Sequence, residues 1–201
     1  MENYKEEIYK GYKIEICYDD CAESPESWGD DNLFLVGYHR DFWVDKNKKI
    51  SQGLAQCIFN KGKYEDGSIN DEAKDYLKKY HIFPLSAYIH SGVRLYLEDY
   101  KVCQWDSCQV GLVFVAKEEW KTRKSAEKTA ESYLKTWNDY LSGQVYGFRV
   151  LDKDEEEIGS CWGFYGDEGI KDAIKEAQGE IDFNIEEENK NLLATKELVF
   201  G

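Results

Sequence analysis

The chain has 201 residues, 42% of them apolar and 15% aromatic, so it is long enough to bury a core without staples. No apolar segment follows Met1 and no apolar run reaches the roughly eighteen residues a span requires, so neither a signal peptide nor a transmembrane helix is expected, and a cytoplasmic location is. The formal charge is −14, distributed as −7 over residues 1–32, +2 over 33–143 and −9 over 144–201. Two acidic ends of this kind repel phosphate, which argues against direct nucleic-acid binding and toward a basic protein partner.

In chain order, Tyr12–Tyr18 alternates with the period of a half-buried strand, and an acidic turn follows as far as Asp31. Leu33–Tyr38 is a short apolar run suited to a buried strand. Asp45–Gln52 reads as a loop and Ser51–Phe59 as a helical turn. Asn70 caps a helix that opens with Asp71 and Glu72 and continues to about Tyr80. Ile82–Ile89 and Val93–Glu98 form two strands around the turn His90-Ser91-Gly92. Val110–Ala116, rich in β-branched residues, is the best candidate for a sheet centre.

A long helix is expected over Lys117–Leu141. Trp120, Ala126, Ala130, Tyr133, Leu134, Trp137 and Leu141 recur there at spacings of three and four, with Ser142-Gly143 as the stop. Val145–Leu151 and Glu157–Phe164 make an antiparallel pair across an acidic turn. A last helix starts near Asp167 and runs to Glu180 or beyond, and Leu192–Phe200 is expected as an edge strand. The order predicts an α+β fold over residues 1–201 as a single domain. A mostly antiparallel sheet would lie against one long and one or two shorter helices.

Two dense knots, Cys103–Gln109 and Ser160–Gly166, combine aromatics, cysteines and glycines. Their plainest reading is a pair of tightly specified turns anchored by Trp105 and Trp162, with Asp106 capping backbone amides. A sharper reading makes Cys161 or Cys103 a nucleophile, with His90 as its base and Asp106 orienting the imidazole, since a thiolate needs such a relay. His39 and His81 are the other two histidines. The six cysteines, in a reducing compartment, are expected as free thiols. Cys17-x3-Cys21 and Cys103-x4-Cys108 lack the usual zinc-knuckle spacing, so no metal is expected. Asp152-x-Asp154-x-Glu156 begins like a calcium loop but has Glu157 at the sixth position and Gly163 at the twelfth, which makes it a solvated hairpin tip. Neither a phosphate-binding glycine loop nor a G-x-S-x-G elbow is present, and no cofactor is expected.

The last helix carries Asp167, Glu168, Asp172, Glu176, Glu180, Asp182, Glu186, Glu187 and Glu188 along about 30 Å of axis. The plain reading is a solvated face; the functional one is a carboxylate surface that imitates a phosphate ladder.

Trp105-Asp-Ser-x-Gln109-Val-Gly111, Tyr146-Gly-Phe148 and Ser160-Cys-Trp-Gly-Phe-Tyr-Gly166 resemble a family of phage and mobile-element proteins without an established activity. The likeness extends to Tyr38-His39-Arg40 and His90-Ser91-Gly92 and covers about residues 33–166. Relatives in that family carry glycine where Cys108 stands and keep the positions of Cys103 and Cys161. The resemblance implies a phage-type protein in the cytoplasm of a host cell. Together with the charge, it leads to an expected inhibitor of a host defence or nucleic-acid-handling protein, acting by nucleic-acid mimicry. A cysteine-dependent enzyme and a non-catalytic structural or housekeeping module are the alternatives.

Overall fold

The computed structural model describes residues 3–28, 31–45, 50–97 and 107–200, with backbone alone at Asp45 and over 192–200. In chain order the elements are β1 (Asn3–Tyr9), β2 (Tyr12–Tyr18), a 3-10 turn (Pro25–Trp28), β3 (Leu33–His39), β4 (Phe42–Asp45), α1 (Gln52–Phe59), α2 (Asp71–Lys79), β5 (Tyr80–Ile89), β6 (Val93–Leu97), β7 (Ser107–Ala116), α3 (Arg123–Leu141), β8 (Val145–Leu151), β9 (Glu157–Tyr165) and α4 (Gly166–Phe200). The fold is α+β, as expected, and its strands form two antiparallel sheets. The chain divides into two compact units. One is residues 24–142; the other joins residues 1–23 to 143–201.

The continuous unit is built on a five-stranded sheet in the order β4-β3-β7-β5-β6. Its centre is β7, the most apolar segment of the chain, paired with β3 and β5. One face receives α3, whose inward Ala126, Ala130, Leu134 and Trp137 meet Leu35, Phe83, Val113 and Val115. The other face receives α1 and α2 over Phe34, Val36, Leu112 and Phe114. A strand buried on both faces reads as an unbroken apolar run, and that is how β7 reads.

The edge strand β6 is closed by a side chain. Asn138 on α3 accepts a hydrogen bond from the Leu95 amide at 2.7 Å and donates one to the Leu95 carbonyl at 3.0 Å. One carboxamide thereby occupies the two backbone groups that an added strand would seek.

The long helix begins later than its apolar spacing suggested. Ala116 and Lys117 still donate backbone hydrogen bonds to Asn32 and Lys79, and Trp120 sits in the turn that follows, its carbonyl 2.9 Å from His81 Nε2. Thr122, whose hydroxyl accepts from the Ser125 amide, then caps the helix. Local capping outweighs the periodicity.

The second unit is a four-stranded sheet, β1-β2-β8-β9, with α4 on one face. Its first strand was hidden in the sequence, because β1 is an edge strand with no buried residue, its Tyr4 and Ile8 as exposed as its Lys5 and Glu6. The signal lay in the two-residue turn Lys10-Gly11, where both residues take positive φ (49° and 87°), as tight hairpins require. β4 was missed for a similar reason: it pairs with β3 across Arg40-Asp41, and the Asp41 amide donates to His39 Nδ1. The expected terminal strand at Leu192–Phe200 is instead the last part of α4. That stretch has no proline or glycine and is rich in Leu, Ala, Lys and Glu, so the helix continues.

Asn138→Ala leaves two backbone groups of β6 without their partner and should lower unfolding free energy by about 1–3 kcal/mol. Urea denaturation checks this; an unchanged midpoint would show that solvent replaces the carboxamide.

Candidate functional site: the acidic face of the two-ended unit

The division into units sorts the charge more sharply than the sequence does. Residues 1–23 and 143–201 hold twenty-two acids and nine bases, a net −13, while residues 24–142 hold eighteen acids and seventeen bases, a net −1. Nearly all the excess charge of the molecule therefore belongs to the unit made from the two chain ends, and a net −7 of it to the strands and helix of that unit.

Helix α4 is seated by Ile170, Ala173, Ala177 and Ile181, with Ile174 and Ile185 at the margin, against Ile14, Ile16, Tyr146, Phe148 and Val150. The two alanines bring the helix close to the sheet, and the apolar stripe fixes which residues point elsewhere. Asp172, Glu176 and Glu180 follow one another at intervals of four on one flank, and Glu187 continues it seven residues on. Glu168 and Glu186 point away from the sheet, Asp167 lies in the first turn, and Glu188 is exposed. Acids in the first turn also suit the positive end of the helix dipole. Asp182 lies on the opposite flank, where Lys10 donates to it at 2.7 Å and the Tyr9 hydroxyl at 3.3 Å. Glu168 pairs with Lys171 and Glu187 with Lys190, each at 2.7 Å. Asp172, Glu176, Glu180 and Glu187 thus form a flank and Glu168 and Glu186 an outer ridge, with Asp182 acting as an anchor.

Glu180 does more than line the flank. It is half-buried against Gly159 of β9, where a Cβ would come within 2.0 Å of the carboxylate. Glycine at this point makes room for a carboxyl group on the sheet. Burial, and then the neighbouring Glu176 charge, push the Glu180 carboxyl above its ordinary range. Cys161 faces the same pair. Its thiol is pushed up first by burial and then by the charge and hydrogen bond of Glu176. A nucleophilic thiolate needs the opposite surroundings.

Of the two thiols expected for the relay, Cys161 belongs to one unit and Cys103, with all three histidines, to the other. Each histidine has a local role or setting. His81 meets the Trp120 carbonyl, His39 accepts from the Asp41 amide, and exposed His90 stacks with Tyr88 at 6.4 Å between ring centres. Cys103, Trp105 and Asp106 lie outside the described residues. Ser160–Tyr165 is part of the β9 strand, as the expected pairing of Val145–Leu151 with Glu157–Phe164 requires, and is not a separate turn anchored by Trp162.

The five described cysteines are free thiols, and no group of three or more potential metal ligands occurs among the described residues. At the β8–β9 turn Asp152 Oδ1 accepts from the amides of Asp154 and Glu156 at 2.8 and 2.9 Å, which is the hairpin tip the sequence suggested. Among the described residues, no helix is long and apolar enough to cross a membrane.

Two features escaped sequence reading. Arg149 on β8 lies between Glu15 of β2 (3.6 Å) and Glu157 of β9 (2.7 Å), a basic centre in an acidic sheet. Phe183 stands 61% exposed on the carboxylate flank, three residues after Glu180 and four before Glu187. The first needs the strand register; the second was legible as an aromatic off the apolar stripe. The chain matches no protein-family model, no curated protein and no solved structure.

Because the Glu180 carboxyl is raised, the folded state keeps that proton at pH values where the unfolded chain has lost it. The stability it contributes is full below the ordinary glutamate range and is lost as pH rises through the raised value. Glu180→Gln should therefore flatten the fall in stability from about pH 4 upward. Denaturation curves across that range check this; an identical slope in the variant would assign the fall to other groups.

Proposed function

We propose that this chain is a phage-type acidic binding protein that inhibits a host defence or nucleic-acid-handling protein by nucleic-acid mimicry. The observation that carries the reading is the gathering of a net −13 into the unit made from the two chain ends. A charge held on one rigid sheet and helix steers a basic partner and fixes its register, which a dispersed charge does not do.

The charge density of α4 bears on the kind of mimic. Residues 167–188 hold nine acids and two lysines, a net −7. Over roughly 33 Å of helix this is one charge per about 4.7 Å. B-DNA carries one per about 1.7 Å for the duplex and about 3.4 Å for one strand. The helix alone is closer to a single strand, so the expected target is a groove that tracks one backbone. Phe183 supports a protein partner over a purely solvated face, because an exposed aromatic ringed by charge is the pattern of an interface anchor. The raised thiol of Cys161 weighs against the cysteine-dependent enzyme. Ordered self-association in solution would instead favour a structural module of the phage.

The experiment is capture from host lysate at low and high salt, with mass-spectrometric identification, comparing the parent with Asp172→Asn/Glu176→Gln/Glu186→Gln/Glu188→Gln. The expected partner is a basic nucleic-acid-binding protein, released by salt and bound roughly tenfold more weakly by the variant, since each exposed pair contributes a fraction of a kcal/mol. Equal capture by parent and variant would sink the mimicry reading.

A further inference from the structure

The near-neutral unit has an open groove of about 410 Å³ beside α2, lined by Asp31, Phe34, Val36, Ile50, Glu72, Asp75, Tyr76, Lys79 and Tyr80. Its apolar side comes from three elements. Val36 of β3 and Ile50 are buried, and the Tyr38 hydroxyl donates to the Ile50 carbonyl. Tyr76 and Tyr80 stack at 6.0 Å with 26° between their planes, and the Phe34 ring stands edge-on to Tyr80 at 5.6 Å. The Tyr80 hydroxyl donates to the Asp31 carbonyl at 3.2 Å, which ties the aromatic wall to the acidic end of the groove.

The rim is acidic in a unit that is not. Residues 24–142 net only −1, yet the groove has three carboxylates to one lysine. Glu72, Asp75, Tyr76 and Lys79 fall on one stripe of α2 at spacings of three and four, so the helix presents acid and ring together. Lys78 pairs with Asp75 at 2.9 Å and holds its carboxyl below the usual range, so Asp75 is ionised but shared. Burial and the Glu72 charge push the Tyr76 hydroxyl up, so that ring stays neutral.

We propose that this groove binds the guanidinium of an arginine side chain on a basic protein partner. A planar cation stacks on aromatic faces and forks onto carboxylates, and it gives up its water more readily than an ammonium does. Stacked Tyr76 and Tyr80 supply the first surface, and Glu72 and Asp75 the second. This site stands apart from the carboxylates of α4 and does not depend on them.

The test is two-dimensional NMR of the full chain with a blocked Gly-Arg-Gly peptide and its lysine and citrulline counterparts. The arginine peptide should shift the amides of Glu72, Tyr76 and Tyr80 saturably. The uncharged citrulline peptide should bind at least about fivefold more weakly, as expected for loss of a cation–π contact and exposed ion pairs. Glu72→Gln/Asp75→Asn, both on the exposed face of α2, should weaken the arginine peptide by about the same factor and leave the rest of the spectrum unchanged. Glu176→Gln/Glu180→Gln should leave it unaffected, which separates this site from the α4 surface. Absence of saturable shifts, citrulline binding as tight as arginine, or a full effect from the α4 variant would overturn the site. Equal binding of lysine would overturn the choice of arginine.

Discussion

The pairing of β2 with β8 is the constraint on which the acidic unit depends. Six register pairs from Lys13↔Leu151 to Tyr18↔Tyr146 join segments separated by well over a hundred residues. Closing a flexible loop of that length costs about 4 kcal/mol of chain entropy beyond a constant. The cost falls if the intervening residues have already folded, and residues 24–142 form a compact unit of their own.

Closure brings charge as well as backbone into one place. Uncompensated, a net −13 on so small a body would oppose its own formation. The basic residues of the unit are placed against that repulsion. Arg149 lies between Glu15 and Glu157 in the sheet, Lys13 is 2.9 Å from Glu15, and Lys10 ties the β1–β2 turn to Asp182 on α4. These pairs are largely exposed and individually weak. On α4 itself Lys171 meets Glu168 of the outer ridge and Lys190 meets Glu187 of the flank, while Asp172, Glu176 and Glu186 stay exposed to solvent.

The same helix shows how a polar group is used when it comes inward. Glu180 rests on Gly159 beside Cys161 and Glu176, and burial raises both the carboxyl and the thiol. The arrangement suppresses thiolate chemistry rather than promoting it. In the other unit, acid and aromatic side chains meet in an open groove, where the same residue types suit recognition.

Much of the fold was legible from sequence. The strand at Tyr12–Tyr18 followed from alternation, Val145–Leu151 from the acidic turn behind it, and α2 from its Asn70 cap, because these signals are local. β1 and β4 were hidden: both are edge strands, β1 without a buried face and β4 only four residues long, and their only local mark was the two-residue turn beside each. The late start of α3 and the helical end of α4 turned on capping and on the absence of a breaker. The sequence determined that both ends of the chain are acidic and that α4 carries its carboxylates off an apolar stripe. Only the tertiary structure decided that the two ends form a single body, that Glu180 turns inward while Asp182 anchors the β1–β2 turn, and that Tyr76, Tyr80 and Glu72 share a groove. Each of these depends on long-range strand register and helix seating, which no local pattern encodes.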